Sequence, residues 1–239
     1  MLPPKPLKAM LFDLDGTVAD THWLILKCYD FAMQTHLGVA GRRSIWEAQV
    51  GAPLDGILLA TCDFYGIPRV SDEELEKIKV TYRAHMREND AELEPFPGII
   101  QTLVGLKEKG VRLAIVTTKH ELMARRHLEI TGLTDYFEVL VGGDNVANCK
   151  PHPEPFELAL SKLGIRPEEA AMVGDSQFDI LGARNAGIFS IAALWGTDSR
   201  EDLLAAEPDF VAGEPGELMG VWSRQNMLFP RTRGGEPTL

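Results

Sequence analysis

Apolar and polar residues fall in blocks along this chain, and the spacing within the blocks changes as the chain proceeds. Ala9-Met10-Leu11-Phe12 is a short apolar run halted by Asp13-Leu14-Asp15-Gly16-Thr17. Such a run, stopped by Asp and Gly, reads as a strand buried on both faces and followed by a functional loop. From about residue 21 to residue 89 the spacing is helical. Trp23, Leu26, Cys28, Tyr29 and Phe31 are followed by Leu54, Ile57, Leu58 and Cys62, then by a charge-rich stretch over 73–87. Ser71, just before Asp72, offers a side-chain oxygen to the free N–H groups of a helix start. Few strand signals interrupt this stretch, which predicts a small all-helical insert. Glu94-Pro95-Phe96-Pro97-Gly98 closes it as a stiff turn or hinge.

Beyond the hinge, strand and helix patterns alternate. A helix ends over 103–109 with Gly110 as its stop, and 112–117 reads as a strand. Helices over 120–130, 154–163 and 178–186 are each followed by glycine: Gly132, Gly164 and Gly187. Strands over 137–141, 170–173 and 188–192 lie between and after them. Five short apolar strands separated by helices predict a parallel sheet covered on both faces. Open sheets of this kind bind ligands at the carboxyl ends of their strands. Asp13, Thr117 and Asp175 end or follow strands, and Lys150 sits in a loop downstream of another. The tail after Trp222 carries Pro230, Arg231, Arg233, Gly234, Gly235 and Pro237 with little apolar content, which predicts no fixed fold.

Composition narrows the class. The 239 residues are 45% apolar and 25% charged, as in an ordinary globular chain long enough to bury a core. No run approaches the ~18 apolar residues that cross a bilayer. Residues 1–8 hold three prolines and two lysines rather than the apolar stretch of a secretory signal, so a cytoplasmic location with no membrane partner is expected. The net charge is −11 and no basic patch is visible, which argues against a nucleic-acid partner. An anionic substrate is still compatible, because a few local cations and a bound metal decide the field at a site. Cys28, Cys62 and Cys149 form no CxxC pair, so reduced thiols are expected rather than a disulfide framework or zinc site.

The polar residues at the strand ends suggest a division of labour. Asp13 and Asp15 are two apart and can face the same way. Two such carboxylates suit a hard cation such as magnesium, or a pair in which one attacks and the other moves protons. Asp179, four residues after Asp175, lies one helical turn on if a helix begins between them. Thr117, with Thr118 beside it, offers a hydroxyl next to the N–H groups of a helix start, an anion site. Lys150, before Pro151-His152-Pro153, is a cation on a rigid loop. Each feature also has a plainer reading: Asp and Thr commonly cap helices and turns, and most lysines are simply solvated.

Together and in this order, Asp13-Leu14-Asp15-Gly16-Thr17, Thr117, Lys150 and Gly174-Asp175 with Asp179 resemble the haloacid dehalogenase superfamily, in its helical-cap phosphatase branch. The resemblance runs from about residue 8 to residue 220. It implies an α/β fold: a Rossmann-like doubly wound parallel sheet core with an inserted all-helical cap. The core would be 1–17 and 96–222, the cap 18–95, and 223–239 a flexible tail. It implies Asp13 as nucleophile and magnesium ligand, and Asp15 as general acid/base that lends its backbone carbonyl to the metal. Asp175 is a further metal ligand supported by Asp179. Thr117, Thr118 and Lys150 hold the phosphoryl group, and Gly16 and Thr17 form the turn that links site and cap. Dehalogenases of the superfamily lack an aspartate at the position of Asp15, which argues against that chemistry.

Within the branch, Lys150-Pro151-His152-Pro153-Glu154-Pro155 and the late Pro208-Asp209-Phe210 strand look most like phosphoglycolate phosphatases and related pyrophosphatases. The implied activity is magnesium-dependent hydrolysis of a small phosphorylated metabolite, a phosphoglycolate-like monoester, by a monomer or homodimer. The nearest rival is a sugar-phosphate mutase of the β-phosphoglucomutase type; His22 resembles a cap-hinge histidine of such enzymes. An inorganic pyrophosphatase is a second rival. A non-catalytic binding protein on the same scaffold is a third, opposed by the intact Asp13 and Asp15. Arg42, Arg43, Lys77 and Lys79 fall in the cap, where exposed charges are usually only solvated.

Overall fold

The computed structural model describes residues 6–68, 70–196 and 200–222. The tail expected to be flexible, 223–239, lies outside the described residues. Six strands form one parallel sheet: β1 (Ala9–Phe12), β2 (Arg112–Val116), β3 (Val139–Val141), β4 (Ala170–Gly174), β5 (Phe189–Ala193) and β6 (Phe210–Ala212), in the order β3-β2-β1-β4-β5-β6. Strand β1 is central, with Ala9 opposite Arg112 on one side and Ala170 on the other. All four of its residues are fully buried. Alternation along the strand divides them between two apolar layers. Met10 and Phe12 pack with Ile99, Leu103 and Leu106 of α5 (Ile99–Glu108) and with Ala124 and Leu128 of α6 (Glu121–Ile130). Ala9 and Leu11 pack with Phe156, Leu160 and Leu163 of α7 (Glu154–Leu163) and Ala183 of α8 (Gln177–Asn185). The sheet is thus covered on both faces, the doubly wound arrangement.

Apolar spacing predicts five strands, and six are found among the described residues, the sixth overlapping the late Pro208-Asp209-Phe210 strand that the resemblance points to. Strand β6 is three residues long, half-buried and at the sheet edge, beside a short helix α9 (Arg200–Ala205). An edge strand of that length carries too little apolar signal to register as a strand by periodicity. The expected strand over 137–141 shrinks to Val139–Val141, because Thr134–Tyr136 forms a 3₁₀ turn just before it.

Between β1 and α5, among the described residues, lie four α-helices: α1 (His22–Leu37), α2 (Arg43–Glu47), α3 (Leu54–Tyr65) and α4 (Asp72–Asn89). They share an apolar cluster of their own, built on Leu24, Tyr29, Met33, Trp46, Leu58 and Ile78; Met123 of α6 joins it from the core. Helix α4 begins with a capping box: Ser71 Oγ accepts from the Glu74 N–H at 3.2 Å, and Glu74 Oε2 accepts from the Ser71 N–H at 3.0 Å. The segments entering and leaving this insert run side by side. The Asp20 N–H donates to the Glu94 carbonyl (3.0 Å) and the Phe96 N–H to the Val18 carbonyl (3.1 Å). Among the described residues, no helix is long and apolar enough to cross a membrane.

Candidate active site

Strand β1 delivers Asp13 to the carboxyl edge of the sheet, where its backbone N–H still donates to Val173 of β4 at 2.9 Å. The chain then turns sharply, with the N–H groups of Val18 and Ala19 both donating to the Leu14 carbonyl. Gly16 makes this turn with φ +72°, and a Cβ there would fall 2.2 Å from Asp175 Oδ2. The turn therefore needs glycine both for its backbone and for the close approach of two acidic segments.

Lys150 arrives from the loop before α7 and is almost wholly buried. Its Nζ lies 2.9 Å from Asp13 Oδ2 and 2.6 Å from Asp179 Oδ1, and donates to the Val116 carbonyl at 3.2 Å. Asp179 is fixed from its other oxygen by Ser176, whose Oγ donates to Oδ2 at 2.6 Å in a capping box at the start of α8. Asp175, at the end of β4, accepts from Thr17 Oγ1 at 2.9 Å. Its Oδ2 is buried without a hydrogen bond, 3.4 Å from His22 Nε2. Asp13, Lys150, Asp175, Asp179, Gly16 and Thr17, all singled out from the sequence, are thus brought into one buried cluster.

The electrostatics of that cluster are unbalanced. Burial pushes the Asp13 carboxyl up to about 7; Lys150 offsets part of this, while Asp179 and Asp15 add to it. Burial raises Asp175 well above the carboxylate range, with the charges of Asp13 and Asp179 acting in the same direction. Burial pushes the Lys150 ammonium down, but Asp13 and Asp179 outweigh that and raise it instead. One cation thus faces three carboxylates. Oxygens of Asp13, Asp175 and Asp179 lie within 4.8 Å of one another. The orphaned Asp175 oxygen and the surplus of buried negative charge fit a hard divalent cation with oxygen ligands.

Asp15 stands apart from this group. Its carboxylate pairs with Lys119 Nζ at 2.6 Å and opens onto the cavity above the sheet. Burial opposes its charge, but the Lys119 ammonium wins and holds the carboxyl below its ordinary value. Thr117 is buried, and its Oγ1 accepts from the Lys119 N–H at 3.2 Å, while Thr118 lines the cavity. The cavity, about 300 Å³, has Asp13, Asp15, Thr118 and Lys119 on its floor and Trp46, Ile57, Tyr82 and Met86 of the insert on its roof. Lys119, Ser176 and Tyr82 were not singled out from the sequence. Lys119 had a detectable signal, two residues beyond the strand-end Thr117; Tyr82 had none beyond its place on an amphipathic helix.

Comparison with known proteins bears on the family and the fold. A model of the haloacid dehalogenase-like hydrolase family matches residues 10–193. Pyrophosphatase PpaX of Halalkalibacterium halodurans is 35% identical over 217 residues, covering 90% of this chain and 96% of that protein. A predicted phosphoglycolate phosphatase from Haemophilus somnus superposes with a TM-score of 0.83 at 24% identity, over 91% of this chain and 99% of that one. A haloacid dehalogenase-like hydrolase from Streptococcus pneumoniae gives 0.76 at 29% identity, over 90% and 98%.

Proposed function

The chain belongs to the haloacid dehalogenase-like hydrolases, and from that premise we propose that it is a magnesium-dependent phosphatase acting on a small phosphorylated metabolite, a phosphomonoester of the class that includes phosphoglycolate. The observation that carries this reading is the Lys150 ammonium 2.9 Å from Asp13, with Asp175 and Asp179 beside it at the carboxyl edge of a parallel sheet. A lone strand-end aspartate is only an acid. One held against a buried cation, with a second carboxylate open to the same cavity, has the parts of covalent phosphoryl transfer.

An Asp13 carboxylate oxygen attacks phosphorus, and the bond from phosphorus to the leaving oxygen breaks as Asp15 gives that oxygen a proton. Water then attacks the phosphorus of the aspartyl-phosphate and loses a proton to Asp15. The bond to Asp13 breaks, and the carboxylate and inorganic phosphate separate. Lys119 beside Asp15 favours the ionised form needed in this second half. Lys150, Thr117 and Thr118 hold the phosphoryl oxygens, and Lys150 keeps Asp13 charged in a site whose burial opposes that charge. The carboxylates of Asp13 and Asp175 and the backbone carbonyl of Asp15, with Asp179 in support, would hold magnesium, which would supply neutralisation of the phosphoryl charge. Residues 18–95 act as the cap that keeps bulk water from the phosphoenzyme.

The likeness to PpaX favours a second reading, hydrolysis of pyrophosphate by the same machinery. Phosphate release from 4-nitrophenyl phosphate with magnesium tests the shared core of both. We expect turnover that stops with a chelator and falls by at least about a thousandfold in Asp13→Asn; activity unchanged in that variant would remove both readings. Running phosphoglycolate, pyrophosphate and glucose 1-phosphate in parallel separates phosphatase, pyrophosphatase and mutase, the last by isomerisation without net phosphate release.

A further inference from the structure

The roof of the cavity is chemically unlike its floor. Ile25, Trp46, Leu54, Ile57 and Met86 of the insert, with Met123 of α6, give it an apolar surface. Two cations also line it, Lys79 and Arg83 on α4. A second anionic group on a substrate, whether a carboxylate or another phosphate, would need one of them. Both are already engaged. Lys79 Nζ lies 2.9 Å from Glu76 Oε2 and 3.1 Å from Asp55 Oδ1, and Arg83 Nη1 lies 3.0 Å from Glu76 Oε1. Two carboxylates thus answer two cations, and the roof presents no net positive charge. Lys119, on the floor, is held by Asp15. The remaining polar group of α4 at the cavity is neutral: the Tyr82 side chain is nine-tenths buried, and among the described residues its hydroxyl has no hydrogen-bond partner. An anion brought against this roof would lose its water and find only cations that are already paired. An apolar body would displace water from apolar side chains and gain from it.

We propose that the leaving group this cavity accepts is an uncharged organic alcohol with an apolar body, rather than a second phosphate or a short carboxylic acid. The inference rests on the phosphatase reading above and narrows it by naming the chemical class of the alcohol, keeping the phosphomonoester but replacing phosphoglycolate, whose leaving group is a short carboxylic acid. It also sets this chain apart from a pyrophosphatase that shares its catalytic floor.

The test is a comparison of kcat/KM for the full chain with magnesium, by phosphate release, on 2-phenylethyl phosphate, phosphoglycolate and pyrophosphate. Asp13→Asn serves as the blank and 4-nitrophenyl phosphate as the control for the phosphatase reading. The expected result is a value for 2-phenylethyl phosphate at least about tenfold above both anionic substrates. Either anion matching or exceeding it overturns the inference and leaves the phosphatase reading standing. So does turnover of the nitrophenyl ester with none of the phenylethyl ester. Blank-level rates on all four overturn both. A second variant tests the cause. Glu76→Gln releases Lys79 and Arg83 from a shared carboxylate, and should raise kcat/KM on phosphoglycolate at least about threefold while leaving 2-phenylethyl phosphate within about twofold. No gain on phosphoglycolate would contradict the neutralised-roof explanation.

Discussion

Lys150 sits between two buried carboxylates, 2.9 Å from Asp13 and 2.6 Å from Asp179, and is itself shut off from water. Breaking a buried pair from one side leaves charge uncompensated, which costs about 3–5 kcal/mol. Lys150→Met should therefore lose about that much stability in denaturant unfolding at pH 7 without metal, besides its activity. The deficit should shrink as pH falls, because Asp13, already raised to about 7, is then neutralised by a proton. A loss below about 1 kcal/mol would mean that the cluster is not held together by this charge. Lys119 plays the corresponding part for Asp15. Removing it as Lys119→Met withdraws the cation that keeps that carboxyl low. The base form is then lost at a higher pH, so the acid limb of the kcat–pH profile should move upward; an unmoved limb would deny Lys119 that role. Asp13 and Asp175 were legible in the sequence because each follows an apolar run that ends abruptly, Asp179 by its four-residue spacing from Asp175, and Lys150 by its place before a proline-stiffened loop. The Lys119–Asp15 contact was not, because it joins segments 104 residues apart and only the sheet order brings them together.

At the level of elements, the strands and helices after the hinge follow the apolar spacing closely. Helix α7 runs over Glu154–Leu163 as expected, and Gly164 ends it in the left-handed region at φ 64°. The helical insert was visible through the same spacing and through Ser71. Its roof chemistry was not, since an ion pair between α3 and α4 depends on how two helices pack. The start of the sheet shows how side chains tie elements together. Glu169, just before β4, takes Lys8 Nζ at 2.6 Å and Arg166 Nε at 3.0 Å, and its backbone carbonyl accepts from the Lys8 N–H. Hydrogen bonds from Arg166 and Lys8 hold its carboxyl down at about 2, from an ordinary 4.5. Both cations are half exposed or more, so solvent screens the gain to about 1 kcal/mol. That stability is present above pH 4.5 and is lost as pH falls through about 2. Glu169→Gln should accordingly be less stable than the parent at pH 7, and the two unfolding curves should converge in strong acid. A gap that persists at pH 2 would assign the effect to packing instead.

Across the whole molecule, several of the places where the insert and the sheet layers meet bracket the site. The paired segments around Ala19 and Pro95 form the covalent joint. Asp90, wholly buried in the turn that ends α4, receives Arg126 of α6 at 2.5 and 2.8 Å. Trp46 of α2 lies edge-on to His22, the first residue of α1, whose ring reaches toward Asp175. The floor of the cavity is thus built by the sheet and its loops and its roof by the insert, which under the proposed mechanism assigns catalysis to the first and contact with the leaving group to the second. One chain can therefore carry the motifs of its family on the floor and a chemistry of its own on the roof. The central claim is that Asp13 becomes covalently phosphorylated. Rapid acid quench of the enzyme with magnesium and 4-nitrophenyl phosphate, followed by peptide mass spectrometry, tests it directly. The account predicts the mass of one added phosphoryl group on the peptide bearing Asp13, absent from Asp13→Asn and discharged on standing with water before the quench. Turnover in which no such adduct forms, or an adduct that maps to another residue, would contradict it.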